Sequence, residues 1–436
     1  MLPRIDYRNQ MRGMLMEKQL LKNIIINTKY LIHSDDFLKR HRLSNGFTRQ
    51  SKLSFTDIIY FILSRENKSI SINFSNMRRA FPRLSLPTVS KQALSKARQK
   101  VSSDACKELC QLFTKIYYTK KKKRTLWNGY HIYAIDGSTI QIPLSNENIT
   151  FWGSNPNQYG IEEPLASASM LYDVMDGIII DSMIGKYRLN EREYASKHIE
   201  FFVKQNISGN HVFLFDRGYP SYELFETLIS NNLFFVMRLS LSFKKLIDKQ
   251  KEDTIISYQP KGKKRALTLR VISFFLPDGS REYLVTNITS SNIQLVNFKE
   301  LYFLRWGIES RYKELKLSFK LESFSGYKPE IIKQDFYAAV FLSNLASITK
   351  NIADSKIEKK ETNIYVYQSN KNFIISQIKN MILSSMFKSE RHVIKLINDI
   401  INEAILNRSE IRPGRKYPRH KKYTRRKFFI NSKPCI

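Results

Sequence analysis

Residues 302–316 read Tyr-Phe-Leu-Arg-Trp-Gly-Ile-Glu-Ser-Arg-Tyr-Lys-Glu-Leu-Lys, and this run constrains the chain more than any other. Wound as an α-helix at roughly 100° per residue, it brings Tyr302, Arg305, Glu309 and Lys316 onto one stripe about 21 Å long. A second stripe lies one residue back: Leu301, Leu304, Ile308, Leu315 and Phe319. Such an apolar face has to be buried against other elements. Asn297, followed three residues later by Glu300, predicts a capping box at the start. One carboxylate is thereby held at the rim of a core among two cations and a phenol. That grouping suits a metal site next to a phosphate chain.

What precedes this helix predicts the layer it packs on. From Tyr130 the pattern turns to strands, with Ile132, Ala134, Ile140 and Ile142 alternating around Asp136-Gly137. Residues 165–174 and 178–184 read as a hairpin turned at Asp176-Gly177. A helix follows near residues 193–204. His211-Val-Phe-Leu-Phe215 then forms a continuous apolar strand, as in a sheet covered on both faces, and ends at Asp216-Arg-Gly. A helix at 222–230 and a strand at 233–239 complete a mixed α/β layer. Residues 240–291 interrupt it with a basic hairpin, 266–276 and 282–286, turned at Pro277-Asp-Gly279. Further helices are predicted at 333–350 and from 371 to about 407.

Charge decides the partner. The chain has 436 residues with 72 Lys+Arg against 39 Asp+Glu, a formal net charge of +33. That excess repels itself unless a polyanion is the working partner, and nucleic acid comes first. No apolar run reaches the length of a bilayer span and the start lacks a signal-peptide core, so no membrane partner is expected. Cys106, Cys110 and Cys435 are too few for a disulfide framework, which fits a reducing cytoplasm. The seven histidines are scattered without ligand spacing, and His131 and His211 read as structural.

Residues 1–125 read as helical and basic. Ser54 starts a helix carrying Phe55, Ile58, Ile59, Ile62 and Leu63, and Ser90 caps another over 91–101. The second displays Lys91, Gln92, Ser95, Arg98 and Gln99. It serves equally as a recognition helix in a major groove or as a solvated bundle face. The run Lys120–Arg124 reads as a linker. Residues 411–436 form a basic tail without an acid.

Asp136, Asp216 and Glu309 stand out as carboxylates at strand ends and on the later helix, where α/β sheets form their sites. Together with Tyr302, Arg305 and Lys316 they carry a resemblance. The spacing Tyr-x2-Arg-x3-Glu-x6-Lys, and the segments Tyr133-Ala-Ile-Asp136-Gly-Ser and Phe213-Leu-Phe-Asp216-Arg-Gly-Tyr, are similar to the insertion-sequence-four family of DDE transposases.

The resemblance implies an RNase H-like catalytic domain over 126–350, split by the β-rich insertion near 240–291. A helical DNA-binding domain would occupy 1–125 and a helical region with the basic tail 351–436. It implies Asp136, Asp216 and Glu309 as catalytic ligands of two Mg²⁺ ions, which Mn²⁺ can replace. Arg305 and Lys316 become phosphate contacts and Tyr302 a DNA contact near the cut. Trp306 becomes a platform for a flipped base; on the recognition-helix reading of 91–101, and not from the resemblance, Lys91, Gln92 and Arg98 face DNA. Cut-and-paste transposition is the implied activity: cleavage at terminal inverted repeats, a hairpin formed by the freed 3′-hydroxyl, then joining to target duplex. The implied assembly is a homodimer on DNA at the bacterial nucleoid.

Overall fold

The computed structural model describes residues 7–48, 52–82, 86–121, 124–240, 243, 246, 251–276, 278–357 and 365–412. The basic tail beyond Arg412, Lys122 and Lys123 of the lysine run, and Pro277 of the expected turn lie outside them. Six helices come first: α1 (Tyr7–Ile32), α2 (Asp35–His41), α3 (Phe55–Ser64), α4 (Ile70–Ala80), α5 (Lys91–Arg98) and α6 (Asp104–Lys120). Then come β1 (Tyr130–Gln141), α7 (Asn146–Trp152), β2 (Ser154–Pro156), β3 (Glu162–Asp173), β4 (Ile178–Lys186), α8 (Glu191–Lys204), β5 (Asn210–Phe215), α9 (Tyr222–Ser230) and β6 (Phe234–Arg238). Strands β7 (Asp253–Tyr258), β8 (Leu267–Phe275) and β9 (Arg281–Thr286) precede α10 (Leu295–Phe303), α11 (Trp306–Leu317) and α12 (Pro329–Lys356). The described chain ends with β10 (Val366–Ser369), α13 (Lys371–Phe387), α14 (Glu390–Leu406) and β11 (Arg408–Ile411).

Two compact units divide the chain, and they do not follow a linear cut at 125 and 350. One contains residues 1–122, 140–166 and 314–436; the other contains 123–139 and 167–313. In the first, α12 forms the core. Residues such as Phe336, Phe341, Leu345 and Ile352 are buried around its circumference, so it is enclosed by helices rather than lying on a surface. It packs against α1, α3, α6, α13 and α14.

The second unit is the mixed α/β layer expected. Its strands run in the order β3-β1-β5-β6-β9-β8-β7, with β4 also paired to β3. The pairs β1–β5 and β5–β6 are parallel, and β6–β9, β9–β8 and β8–β7 antiparallel. The β-rich insertion is therefore continuous with the mixed sheet. Strand β7 alternates exposed and half-buried residues, as an edge strand does. The hairpin between β3 and β4 has a longer connection than the two-residue turn expected, with Gly177 at φ 72° donating to Asp173 O at 2.9 Å.

The opening helix is broken. Helix α10 stops at Phe303 and α11 starts at Trp306, three-residue bonds bridging the gap: Arg305 N–H to Tyr302 O and Ile308 N–H to Arg305 O, both 3.1 Å. A turn tightened to three residues eclipses positions i and i+3, so Tyr302 and Arg305 remain on one side. The cap also sits earlier: Asn297 accepts the Gln294 N–H at 3.0 Å instead of being the cap itself.

Candidate active site

The register of β1 and β5 sets the site. Their last paired residues are Ala134 and Leu214, so Asp136 and Asp216 each lie two residues further along neighbouring parallel strands. They point to the same face there, since side chains alternate with a period of two. Asp136 is held by its own neighbour, with the Gly137 N–H donating to Oδ1 at 2.9 Å. The Asp136 carbonyl accepts from the Tyr312 hydroxyl at 3.0 Å, and this buried phenol also donates to Ala168 O at 3.3 Å. Tyr312 thus pins the middle of α11 to β1 and β3.

Arg305 stands at the centre, only 4% exposed. Its Nη2 donates to Glu309 Oε1 at 2.9 Å and its Nη1 lies 3.6 Å from Asp136 Oδ2. Tyr302 donates its hydroxyl to Asp216 Oδ1 at 3.3 Å. The guanidinium also stacks over the rings of Tyr302 and Trp306, at 5.6 and 5.2 Å. Burial lifts the Asp136 carboxyl from its ordinary 3.8 to about 6; the Gly137 N–H and Arg305 oppose the rise, and Glu309 and Asp216 add to it. Burial alone would lower the Arg305 pKa, but Tyr302 and the three carboxylates hold it above its usual value.

Five of the sequence-derived residues therefore meet: Asp136, Asp216, Glu309, Tyr302 and Arg305. Two have different contacts from those expected. Tyr302 and Arg305 are buried against carboxylates, so neither is turned outward to DNA in this state. Trp306 is 50% exposed beside them. Lys316 belongs to the other unit, where its ammonium pairs with Glu322 at 3.4 Å. Lys91 and Gln92 are exposed on α5, whose Ser90 cap accepts from Ala93 N–H at 3.1 Å. Arg98 is not a DNA contact here. It is 0% exposed and donates to Gln334 and Asp335, with Nη2–Oδ1 at 3.0 Å. Its long arm supports the core of the first unit.

Among the described residues no three histidine, cysteine or acidic side chains converge closely enough to hold a metal ion. Arg305 stands between two of the carboxylates. The donors available are oxygens, which suits a hard divalent cation in kind. His131 and His211 are structural as expected: their rings stack at 5.4 Å, and burial brings both pKa values down to about 4. Asp173, Asp176 and Asp181 are engaged away from the site, the first two near Arg124 and the third with His198 Nδ1 at 2.8 Å. The sequence pattern did not reveal Tyr312 or Tyr219. Tyr219 is 1% exposed, and its hydroxyl has no hydrogen-bond partner among the described residues.

Two carboxylates on neighbouring strands of a mixed sheet, with a third on a later helix, are an oxygen-donor set of the kind that enzymes acting on phosphodiesters use. Residues 127–345 match the model of the transposase DDE domain, and the chain belongs to that family, whose members cleave and join DNA using divalent metal ions. No curated protein matches the chain. Among solved structures, the piggyBac transposase synaptic complex with hairpin DNA aligns at a TM-score of 0.49 and 12% identity, covering 89% of this chain and 85% of that one. Among the described residues no helix is long and apolar enough to cross a membrane.

Proposed function

We propose that the chain is the transposase of an insertion sequence of the insertion-sequence-four type, with Tyr302, Arg305, Glu309 and Lys316 as its Tyr-Arg-Glu-Lys signature. The supporting observation is the shared register of Asp136 and Asp216, with Glu309 tied to Asp136 through Arg305. Asp136, Asp216 and Glu309 would hold Mg²⁺, two ions per site. When bound, the ions activate the attacking oxygen and stabilise the leaving one.

The chain's own residues divide the remaining work. The Gly137 N–H and the Tyr302 hydroxyl fix the two strand carboxylates. Arg305 neutralises Asp136 and Glu309 here and would contact the scissile phosphate once those carboxylates were engaged by a cation. Trp306 offers an exposed ring for a displaced base, and Lys316 a phosphate contact. Residues 1–125, with Lys91 and Gln92 outward on α5, recognise the terminal inverted repeats. The protein works as a homodimer on DNA at the nucleoid, because two ends must be joined.

Purified chain with Mg²⁺ should cut duplex DNA carrying the element's own ends. Asp136→Asn and Glu309→Gln should abolish cutting and retain DNA binding. Unchanged cleavage in both variants would sink the assignment. Pre-cut ends test the second step: a nuclease without joining activity leaves them unjoined, whereas a transposase inserts them into target duplex.

A further inference from the structure

Helix α5 is held in the first unit by one narrow stripe. Leu94 and Arg98 are buried, and Val101 continues their line past the helix end. At roughly 100° per residue, Gln92, Lys96, Gln99 and Lys100 point the opposite way, and all four are exposed. A solvated helix face ordinarily pairs such cations with acids four residues away, as Lys197 does with Glu193 and Lys204 with Glu200, both at 2.6 Å. Helix α5 contains no acid.

Two grooves flank it. The larger, about 540 Å³, lies between α5 and the segment before α3, lined by Lys52, Lys96 and Lys100 together with apolar Phe47, Ala93 and Ala97. The smaller, about 140 Å³, opens toward α4, where Arg78 and Lys91 stand among hydroxyls that include those of Ser75 and Thr88. Among the described residues neither groove is lined by an acid. Lys52, Lys96 and Lys100 have no hydrogen bond or ion pair among those residues. Lys91 and Lys100 stand about 180° apart around the helix axis, so the two sets of cations lie on opposite flanks.

The larger groove has a fixed frame. Leu43 N–H donates to Lys100 O at 2.7 Å and Ser102 N–H to His41 O at 2.8 Å, which fastens the loop after α2 to the end of α5. A Cβ on Gly46 would stand 2.9 Å from Lys100 Cβ, so glycine lets the loop lie this close. Phe47 follows at φ 59°, a left-handed conformation that strains a bulky residue and persists only where its surroundings hold it. Its ring meets Phe55 edge-on at 5.5 Å.

Charge complementarity and layout match one partner. A helix in the major groove of B-DNA, about 12 Å wide, presents its outward residues to base edges and meets a phosphate backbone on either side. The major groove of duplex RNA is too narrow to be read in this way. We propose that α5 enters the major groove of duplex DNA, with Gln92, Lys96 and Gln99 at base edges, Lys52 and Lys100 on one phosphate backbone, and Arg78 and Lys91 on the other. The proposal deepens the reading of residues 1–125 as the domain that recognises the element's ends, and rests on it. A solvated bundle face would explain neither the acid-free grooves nor the strained loop fastened to the helix end.

The full chain is titrated by fluorescence anisotropy against a duplex bearing the element's end and a scrambled duplex of equal length and composition, over a NaCl series. Wild type should prefer the end. Gln92→Ala together with Gln99→Ala should lose about tenfold or more of that preference, the level at which bidentate base contacts discriminate, and keep both its affinity for the scrambled duplex and its salt slope. Lys52→Gln together with Lys100→Gln should weaken both duplexes alike. The slope of log K against log salt should become shallower by about 2, at about 0.9 per phosphate contact. All four positions are exposed, so melting followed by circular dichroism should match wild type. Duplex RNA of the same length should compete poorly. Wild-type preference in the glutamine pair overturns the proposal, as does a wild-type slope in the lysine pair or equal competition by RNA; the reading of residues 1–125 then stands without it. If the wild-type chain binds both duplexes equally, that reading fails first and the proposal falls with it.

Discussion

Asp136 and Arg305 show how one pair of side chains can set both stability and readiness to bind. The Asp136 carboxyl titrates near 6 because burial disfavours its charge. A raised folded value means that the protonated form is the one folding favours. Its contribution to stability is therefore full below its ordinary 3.8 and is lost as pH rises through about 6. Cation binding has the opposite sign, since only the carboxylate is a ligand. Mn²⁺ affinity should rise steeply with pH through about 6 and then level off. Arg305→Gln removes the opposing cation, so this midpoint should move to higher pH, which a pH series of Mn²⁺ titrations would detect. Arg98 offers a contrast at the same scale. It is fully buried on Asp335, which also pairs with Arg65 at 3.1 Å. Breaking a buried pair from one side costs roughly 3–5 kcal/mol, and Arg65 softens this. Arg98→Ala should cost about 2–4 kcal/mol in urea unfolding, whereas Lys91→Ala should leave stability unchanged and weaken DNA binding.

The break between α10 and α11 belongs to the level of the element. Gly307 lies just after it: a Cβ there would meet Val174 Cγ1 at 3.3 Å and Tyr172 Cε1 at 3.5 Å, so the end of β3 approaches the start of α11 closely. Gly307→Ala gains up to about 1 kcal/mol in helix propensity and gives back a similar amount in crowding, so its midpoint should barely move. Gly307→Val adds branching into the same gap and should destabilise by about 1–3 kcal/mol, checked by thermal melting. The residues of this element were legible in the sequence, but its geometry was not. A stripe of Tyr302, Arg305 and Glu309 looks the same whether the backbone is continuous or tightened by one short turn. Arg98 was misread for a related reason: Gln334 and Asp335, its partners, stand more than 230 positions away. The strand acids were legible because the apolar runs before them fix the strands, although β1 continues past Asp136 to Gln141 where an end was expected.

At the scale of the whole molecule, the charge of +33 makes two opposite demands on salt. Without DNA the cations repel one another, and added salt screens that repulsion within about 10 Å at 0.1 M. The free protein should therefore melt at a higher temperature in 0.3 M than in 0.05 M NaCl. With DNA the same cations are neutralised by phosphates, and salt competes for them. Each phosphate contact contributes about −0.9 to the slope of log K against log salt. If the basic surface serves DNA, the slope should be steeper than about −5, corresponding to at least six contacts. A slope near −1, with melting still raised by salt, would mean that the excess charge is dispersed and does not form a binding surface. The two measurements separate net charge from organised charge, because the first senses every cation and the second only those in register with phosphates.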